Sequence, residues 1–304
     1  MFEPNQEKVA LNPRNKQMLM KIIALSLILT ACVQQEDSVS TMPAAPDSAI
    51  TESNEDLIKL YTFDCGTIAV SDFDLFSSAG DYAEQAGSLA STCYLIRHPA
   101  GDLIWDLGLP LDTVGEPPQV NGIFTLSLKR SLADQLTVLD MTPADIEFMA
   151  ISHSHFDHTG QIALFPDAQW LVNDNEFDHM FSSDENNNHN LAFADLETVK
   201  YSGDHDVFGD GSVNILAMPG HTPGHSALQV NLTGAGTVLL TGDLYHRQES
   251  RDLQRVPRFN TDEAQTRASM TAFEAFATAS DARVIIQHSQ ADIADLPKPP
   301  EFLH

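Results

Sequence analysis

The run Phe148-Met-Ala-Ile-Ser152, followed at once by His153-Ser-His155-Phe-Asp157-His158, decides how this chain is read. A short apolar run reads as a buried strand. Three imidazoles and a carboxylate in the next six residues read as a functional turn at its end. In extended backbone, alternate side chains point the same way, so His153 and His155 can grip one metal ion. After the chain bends, Asp157 and His158 can face a second. A single buried histidine is usually satisfied by a neighbour, whereas four such side chains at this spacing are costly in a merely structural loop.

Three further candidates each follow an apolar run. His221 lies in Pro219-Gly220-His221-Thr-Pro-Gly224-His225, after a strand ending at Met218. Asp243 lies in Thr241-Gly242-Asp243, after Val238-Leu-Leu240, and His288 follows Val284-Ile-Ile-Gln287. Strands that deliver ligands to one edge of a sheet form a pre-organised metal cup. Imidazole and carboxylate donors without thiolate suit two Zn2+ ions, with Mn2+, Fe2+ or Co2+ also compatible.

Other apolar runs punctuated by Gly and Pro predict strands at Leu57–Phe63, Ser91–Arg97, Leu103–Asp106, Glu147–Ser152, Gln169–Val172, Val213–Met218, Ala227–Asn231, Val238–Thr241 and Arg283–Gln287. Thr142-Pro143-Ala-Asp is a helix start, with a cap residue and then Pro. Asn260-Thr-Asp-Glu263 is a capping box, and Met270, Phe273, Phe276 and Ala277 fall on one face of the helix it opens. The tract Asp174–Asp210 reads as helices and loops inserted between core strands. Two strand-rich halves, each followed by helices, predict an α+β sandwich of two sheets covered by helices.

The ordered set HxHxDH, Pro-Gly-His-Thr-Pro-Gly-His, Gly-Asp and a late His resembles the metallo-β-lactamase superfamily over Leu57–His304. That resemblance implies a four-layer αβ/βα fold of two mixed β-sheets with two metals at one edge. Carried over position by position, His153, His155 and His221 correspond to ligands of the first metal. Asp157, His158 and His288 correspond to ligands of the second, and Asp243 bridges both. Within the superfamily the chain is most similar to the N-acyl-homoserine lactonases, through Leu60-Tyr-Thr-Phe-Asp-Cys-Gly66, Cys93-Tyr-Leu-Ile-Arg-His98 and Trp105-Asp-Leu-Gly108. Those lactonases place a catalytic Tyr three residues after the bridging Asp. Here Tyr245 is two residues after it and His246 is three, so either side chain is a candidate for the substrate oxyanion.

The implied reaction is opening of a lactone ring by a metal-bridging hydroxide, with Asp157 as proton shuttle. An acyl chain needs an apolar groove, for which Leu109–Leu111, Ile123–Leu126 and Phe177–Phe181 are candidates. The alternatives are a β-lactamase-like or other ester hydrolase of the same superfamily and, more remotely, a non-catalytic metal-binding lipoprotein. His225 is expected to support the ligands from behind, and His98, His179, His189 and His205 to be solvated or structural.

The remaining composition concerns surroundings. With 16 Lys and Arg against 43 Asp and Glu, the chain carries a formal charge of −27, which argues against nucleic acid or an anionic membrane as partner. The partner expected is a small-molecule lactone. Met18 to Cys32 hold a basic residue, a short apolar core and small residues, so 1–31 read as a secretory signal with an over-long N-terminus whose start is Met18 or Met20. Leu29-Thr30-Ala31-Cys32 resembles a lipobox, so Cys32 is expected to carry a lipid anchor. Residues 32–56 are too poor in large apolar side chains to fold and read as a tether, leaving 57–304 as the hydrolase domain. The expected location is the periplasm, on the outer membrane, or the cell surface, since Val33 offers no inner-membrane retention signal. Cys65 and Cys93 lie in apolar strand contexts, where buried thiols are expected rather than a disulfide.

Overall fold

A computed structural model of the protein describes residues 57–182 and 188–304. The expected signal, the lipidated Cys32 and the tether lie outside the described residues.

The first sheet takes β1 (Lys59–Val70), β2 (Gly87–His98), β3 (Gly101–Trp105), β4 (Gln119–Asn121), β5 (Phe124–Ser127), β6 (Phe148–Ala150), β7 (Gln169–Asn173) and β8 (Thr198–Tyr201). Its strand order is β4-β5-β1-β2-β3-β6-β7-β8. The second takes β9 (His205–Asp206), β10 (Val213–Ala217), β11 (Ser226–Leu232), β12 (Gly236–Leu240) and β13 (Arg283–Ile285), ordered β13-β12-β11-β10-β9. Both sheets are mixed: β3, β6, β7 and β8 run parallel, as do β12 and β13, while the other pairs are antiparallel.

Period-two alternation builds the layers. From β2 and β3, Tyr94, Ile96, Leu103 and Trp105 pack between the sheets against Val230, Val238, Leu240 and Ile285 of the second. Their neighbours Cys93, Leu95 and Ile104 turn to the opposite face, onto Phe63, Phe165 and Trp170. On the second sheet Leu239 points outward, where Met270, Phe273 and Ala277 of the long helix Glu263–Ala279 cover it. That helix is capped by Asp262, which accepts the backbone N–H of Gln265, and not by Asn260 as the expected capping box has it, because the Asn260 side chain is taken up by His221 and Thr266. The result is the expected sandwich of two mixed sheets flanked by helices.

Three expectations need correction. Cys65 and Cys93 form a disulfide, with sulfurs buried between β1 and β2. The bulge between Asp64 and Thr67 shifts the register and brings the two side chains together across neighbouring strands. The tract Asp174–Asp210 contains β8 and β9, because Val199 and Tyr201 pack onto the inter-sheet core. Thr142-Pro143 opens a single 3-10 turn, Pro143–Asp145, and not an α-helix, since the chain must enter β6 three residues later.

Residues 57–304, purified without reductant and denatured, should show no free thiol in a chromogenic thiol titration. Two thiols per chain would contradict the disulfide.

Candidate metal centre

Strands β3, β6, β10, β12 and β13 all run toward one edge of the sandwich. Just beyond their ends come Asp106, then His153 and His155, then His221, Asp243 and His288. The short helix Phe156–Thr159 turns Asp157 and His158 back toward the same point. All seven sequence-predicted ligand positions therefore converge, every one of them on a short segment anchored by a core strand.

The seven sort into two groups around the carboxylate of Asp243. Its Oδ2 lies 3.4 Å from His153 Nε2 and 3.3 Å from His221 Nε2. Those two nitrogens approach His155 Nδ1 to 2.8 and 3.1 Å. The other oxygen, Oδ1, lies 3.2 Å from His158 Nε2 and 2.8 Å from His288 Nε2. Asp157 Oδ2 is 3.6 Å from His288 Nε2 and 3.8 Å from His158 Nε2. Donor atoms of His153, His155, His221 and Asp243 fall within 4.8 Å of one another, as do those of Asp157, His158 and His288.

Whether these residues fit divalent cations can be judged from their own chemistry. Asp243 Oδ1 is buried and accepts no well-aligned hydrogen bond among the described residues. A buried carboxylate oxygen without a donor is costly, and a cation removes that cost. Nitrogens of different imidazoles face one another at hydrogen-bonding separations, an arrangement that places their lone pairs around a common centre. The donor set fits a divalent metal at each of the two positions.

Protonation agrees. Burial, then the neighbouring imidazoles, holds His153 and His155 well below the ordinary histidine range, so both are neutral donors. Burial opposes ionisation of Asp243, but His246, His288 and His158 outweigh it and hold the carboxyl well below its usual range. Burial likewise opposes charge on His158 and His288. There the carboxylates win, Asp106 and Asp243 at His158 and Asp243 and Asp157 at His288, and both imidazoles are raised.

A supporting layer orients the donors. His158 Nδ1 is 3.0 Å from Asp106 Oδ2, which also accepts from Gln287 Nε2 at 2.8 Å, while Oδ1 accepts from the Ser152 N–H. Asp106 has a left-handed backbone (φ 59°), a costly conformation for a residue with a Cβ. His221 Nδ1 is 2.8 Å from Asn260 Oδ1, and His288 Nδ1 reaches the Ala90 carbonyl. His225 sits behind Asp243: its Nε2 accepts the Asp243 N–H at 2.9 Å, and burial pushes its pKa down to about 3. Buried Glu176 accepts from Ser154 N, Thr222 Oγ1 and Gly224 N, tying the two ligand loops together. Gly242 carries φ 51°, and a Cβ there would lie 2.7 Å from His225 Nε2. Sequence reading missed Asp106, Glu176, Asn260 and Gln287 as supports. Only the Trp105-Asp-Leu-Gly108 stretch hinted at the first.

His246 and Tyr245 part company. His246 Nε2 is 3.0 Å from Asp243 Oδ2, and the ring stacks on His288 with centroids 5.5 Å apart. Tyr245 faces the other way, buried with Leu216, Met270 and Phe273 in the core beneath the long helix. The expectation that Tyr245 reaches a substrate is corrected on geometry: successive side chains in extended backbone diverge, and only His246 lines the cavity.

That cavity, about 270 Å³, opens on His155, Asp157, Asp243, His246 and His288. Its walls are Ile68, Leu75, Phe76, Leu89, Phe124, Phe156 and Phe259. Of the expected groove residues, Phe124 is present. Leu109 packs behind in the same apolar cluster, whereas Phe177 and Phe181 pack on Trp170 in the core of the first sheet.

A family model described as the metallo-beta-lactamase superfamily matches residues 86–288. The chain belongs to the metallo-beta-lactamase superfamily. Membership makes it a metal-dependent hydrolase. Among its relatives, N-acyl homoserine lactonase AttM of Agrobacterium fabrum is 28% identical over 260 residues, covering 81% of this chain and 98% of that protein. A Bacillus thuringiensis N-acyl homoserine lactonase is 27% identical over 168 residues, 52% of this chain and 65% of that protein. In fold the chain is similar to a B. thuringiensis AiiA variant with N-decanoyl-L-homoserine at its active site. The TM-score is 0.71 at 23% identity, over 81% of this chain and 99% of that one. It is also similar to AidC, a dizinc quorum-quenching lactonase in complex with a product, with TM-score 0.60 at 18% identity, over 77% and 88% of the two chains.

Replacing Asp106 with Asn keeps the shape but removes the charge that orients His158. Affinity at the His158 metal position should fall about 10- to 100-fold, measured by chelator competition. Unchanged affinity would contradict the supporting role.

Proposed function

We propose that this hydrolase is a dizinc N-acyl-homoserine lactonase that opens the lactone ring of its substrate. The observation that carries the reading is the apolar cavity opening directly onto Asp157, Asp243 and the ligand histidines. A polar ring and an apolar acyl tail match a site with those two ends. The relatives named above add support, since they carry that activity in their names across most of this chain's length.

When bound, zinc ions supply Lewis acidity and an activated water near neutral pH. His153, His155 and His221 with Asp243 would hold the first ion, and Asp157, His158 and His288, beside the other oxygen of Asp243, would hold the second. His246 stands at the cavity floor with its Nε2 3.0 Å from Asp243 Oδ2, and once that oxygen serves a metal its Nε2–H would be free to donate to the lactone carbonyl oxygen as negative charge develops there. Asp157, at the boundary of ligands and cavity, is placed to pass a proton to the oxygen released when the ring opens. The phenylalanine walls keep water from the acyl tail and hold it in one direction. No serine or cysteine nucleophile is required.

The same reading has the enzyme exported and held by a lipid on Cys32, where diffusible acyl lactones are met. Its support is the sequence Met18–Cys32 alone.

Zinc-loaded protein should open N-acyl-homoserine lactones with release of one proton per ring, and Asp243→Ala should abolish turnover. His246→Ala should lower kcat by about a hundredfold. Turnover of a chromogenic β-lactam with no lactone opening would sink the lactonase reading and favour a β-lactamase-like hydrolase.

A further inference from the structure

The outer wall of the cavity is built from two segments far apart in sequence, and one arginine joins them. Phe76 ends a single 3-10 turn, Phe73–Phe76, and Phe259 lies in an irregular stretch before the long helix. The two rings meet edge to face with centroids 5.3 Å apart, and each stands against His246, at 5.1 and 5.7 Å. Phe76 is buried, whereas Phe259 is 38% exposed at the mouth.

Arg258, next to Phe259, grips the residues on both sides of Phe76. Its backbone N–H donates to the Leu75 carbonyl at 2.8 Å, and its Nε donates to the Ser77 carbonyl at 3.1 Å. Its two terminal nitrogens donate to the two oxygens of Asp74, at 2.7 and 2.9 Å. Such a bidentate fork fixes direction as well as distance. Phe76 is the one residue of 74–77 that Arg258 does not hold, and its ring faces the cavity. Asp74 is itself placed by the turn, its N–H bonded to Asp72. A second pair, Arg255 with Asp81, ties the same loop farther from the cavity.

We infer that Arg258, acting through Asp74, is a positioning residue that sets the Phe76–Phe259 wall and so selects substrates by the length of their acyl tail. The inference rests on the lactonase reading for its substrate. It adds a residue that touches neither metal nor lactone. Neither aromatic ring is held by regular secondary structure on both sides; Ser78 N–H to the Val256 carbonyl also joins the two segments, but only Arg258 binds the residues flanking Phe76. Loosening this clamp costs contacts that only a long tail makes. Both tails meet the inner edge of the wall beside His246, but only a long tail runs out along it to the exposed ring of Phe259 at the mouth.

The test compares N-decanoyl- with N-butanoyl-homoserine lactone on the zinc-loaded protein, its Arg258→Gln and Asp74→Asn variants, and Arg255→Gln as control. Calorimetric binding of the two ring-opened products is measured alongside. Breaking the clamp should lower the decanoyl-to-butanoyl ratio of kcat/KM about tenfold, through KM and not kcat, with the same fall in relative product affinity. The control loosens the loop elsewhere and should keep the ratio. An unchanged ratio in both clamp variants overturns the inference. So does an equal fall for both tails, or the same fall in the control. If the parent protein opens no lactone, the lactonase reading fails by itself, and the product affinities still decide whether Arg258 governs tail length.

Discussion

Asp243 places one carboxylate oxygen before each of two imidazole clusters, in a pocket that water scarcely reaches. Without a cation the neutral imidazoles of His153 and His155 crowd against their neighbours, and each buried polar atom forfeits its hydration. The arrangement is tolerable because divalent cations at the two positions would turn that crowding into shared coordination. The remainder of the structure holds the donors in that condition. Five strands from two sheets end at one edge, so the ligands sit on short tethers to a packed core. Asp106, Glu176, Asn260, Gln287 and His225 then take up the outward atoms of the ligands and their loops, leaving the inward ones free for metal.

The same economy explains the local irregularities. Asp106 adopts a left-handed backbone so that one carboxylate can serve His158, Gln287 and the Ser152 amide together. Gly242 takes a left-handed conformation that lets the chain pass within contact of His225 and Ser226 and deliver Asp243 to the centre. Strain of this kind persists only where surrounding structure over-determines it, as it does here. The cavity is the complement of the cup: almost entirely apolar, and polar only at its floor.

Much of this was legible in the sequence, for identifiable reasons. The stretch His153–His158 is local, and alternation in extended backbone dictates which side chains can share a metal. His221, Asp243 and His288 each terminate an apolar run, and runs of that length in a sandwich deliver their ends to an edge. What stayed hidden depends on register or on long-range contact. A bulge in β1 pairs Cys65 with Cys93, and no spacing in the chain announces a bulge. Whether Tyr245 or His246 faces the cavity turns on the direction of one extended residue after Asp243. Leu75, Phe76 and Phe259 belong to irregular segments without periodicity, and an ion pair between residues 184 positions apart brings them together. The hairpin strands β4 and β5 and the strands β8 and β9 were missed because they are short and take their stability from the sheets they extend.

The central claim is that Asp243 joins two metal positions into one unit. Loading the protein with Mn2+ and recording its electron paramagnetic resonance spectrum tests this directly. The account predicts two ions per chain with the spectrum of an exchange-coupled pair, and loss of the coupling signal in Asp243→Asn. A single ion per chain, or two ions that give an uncoupled spectrum in the parent protein, would contradict it.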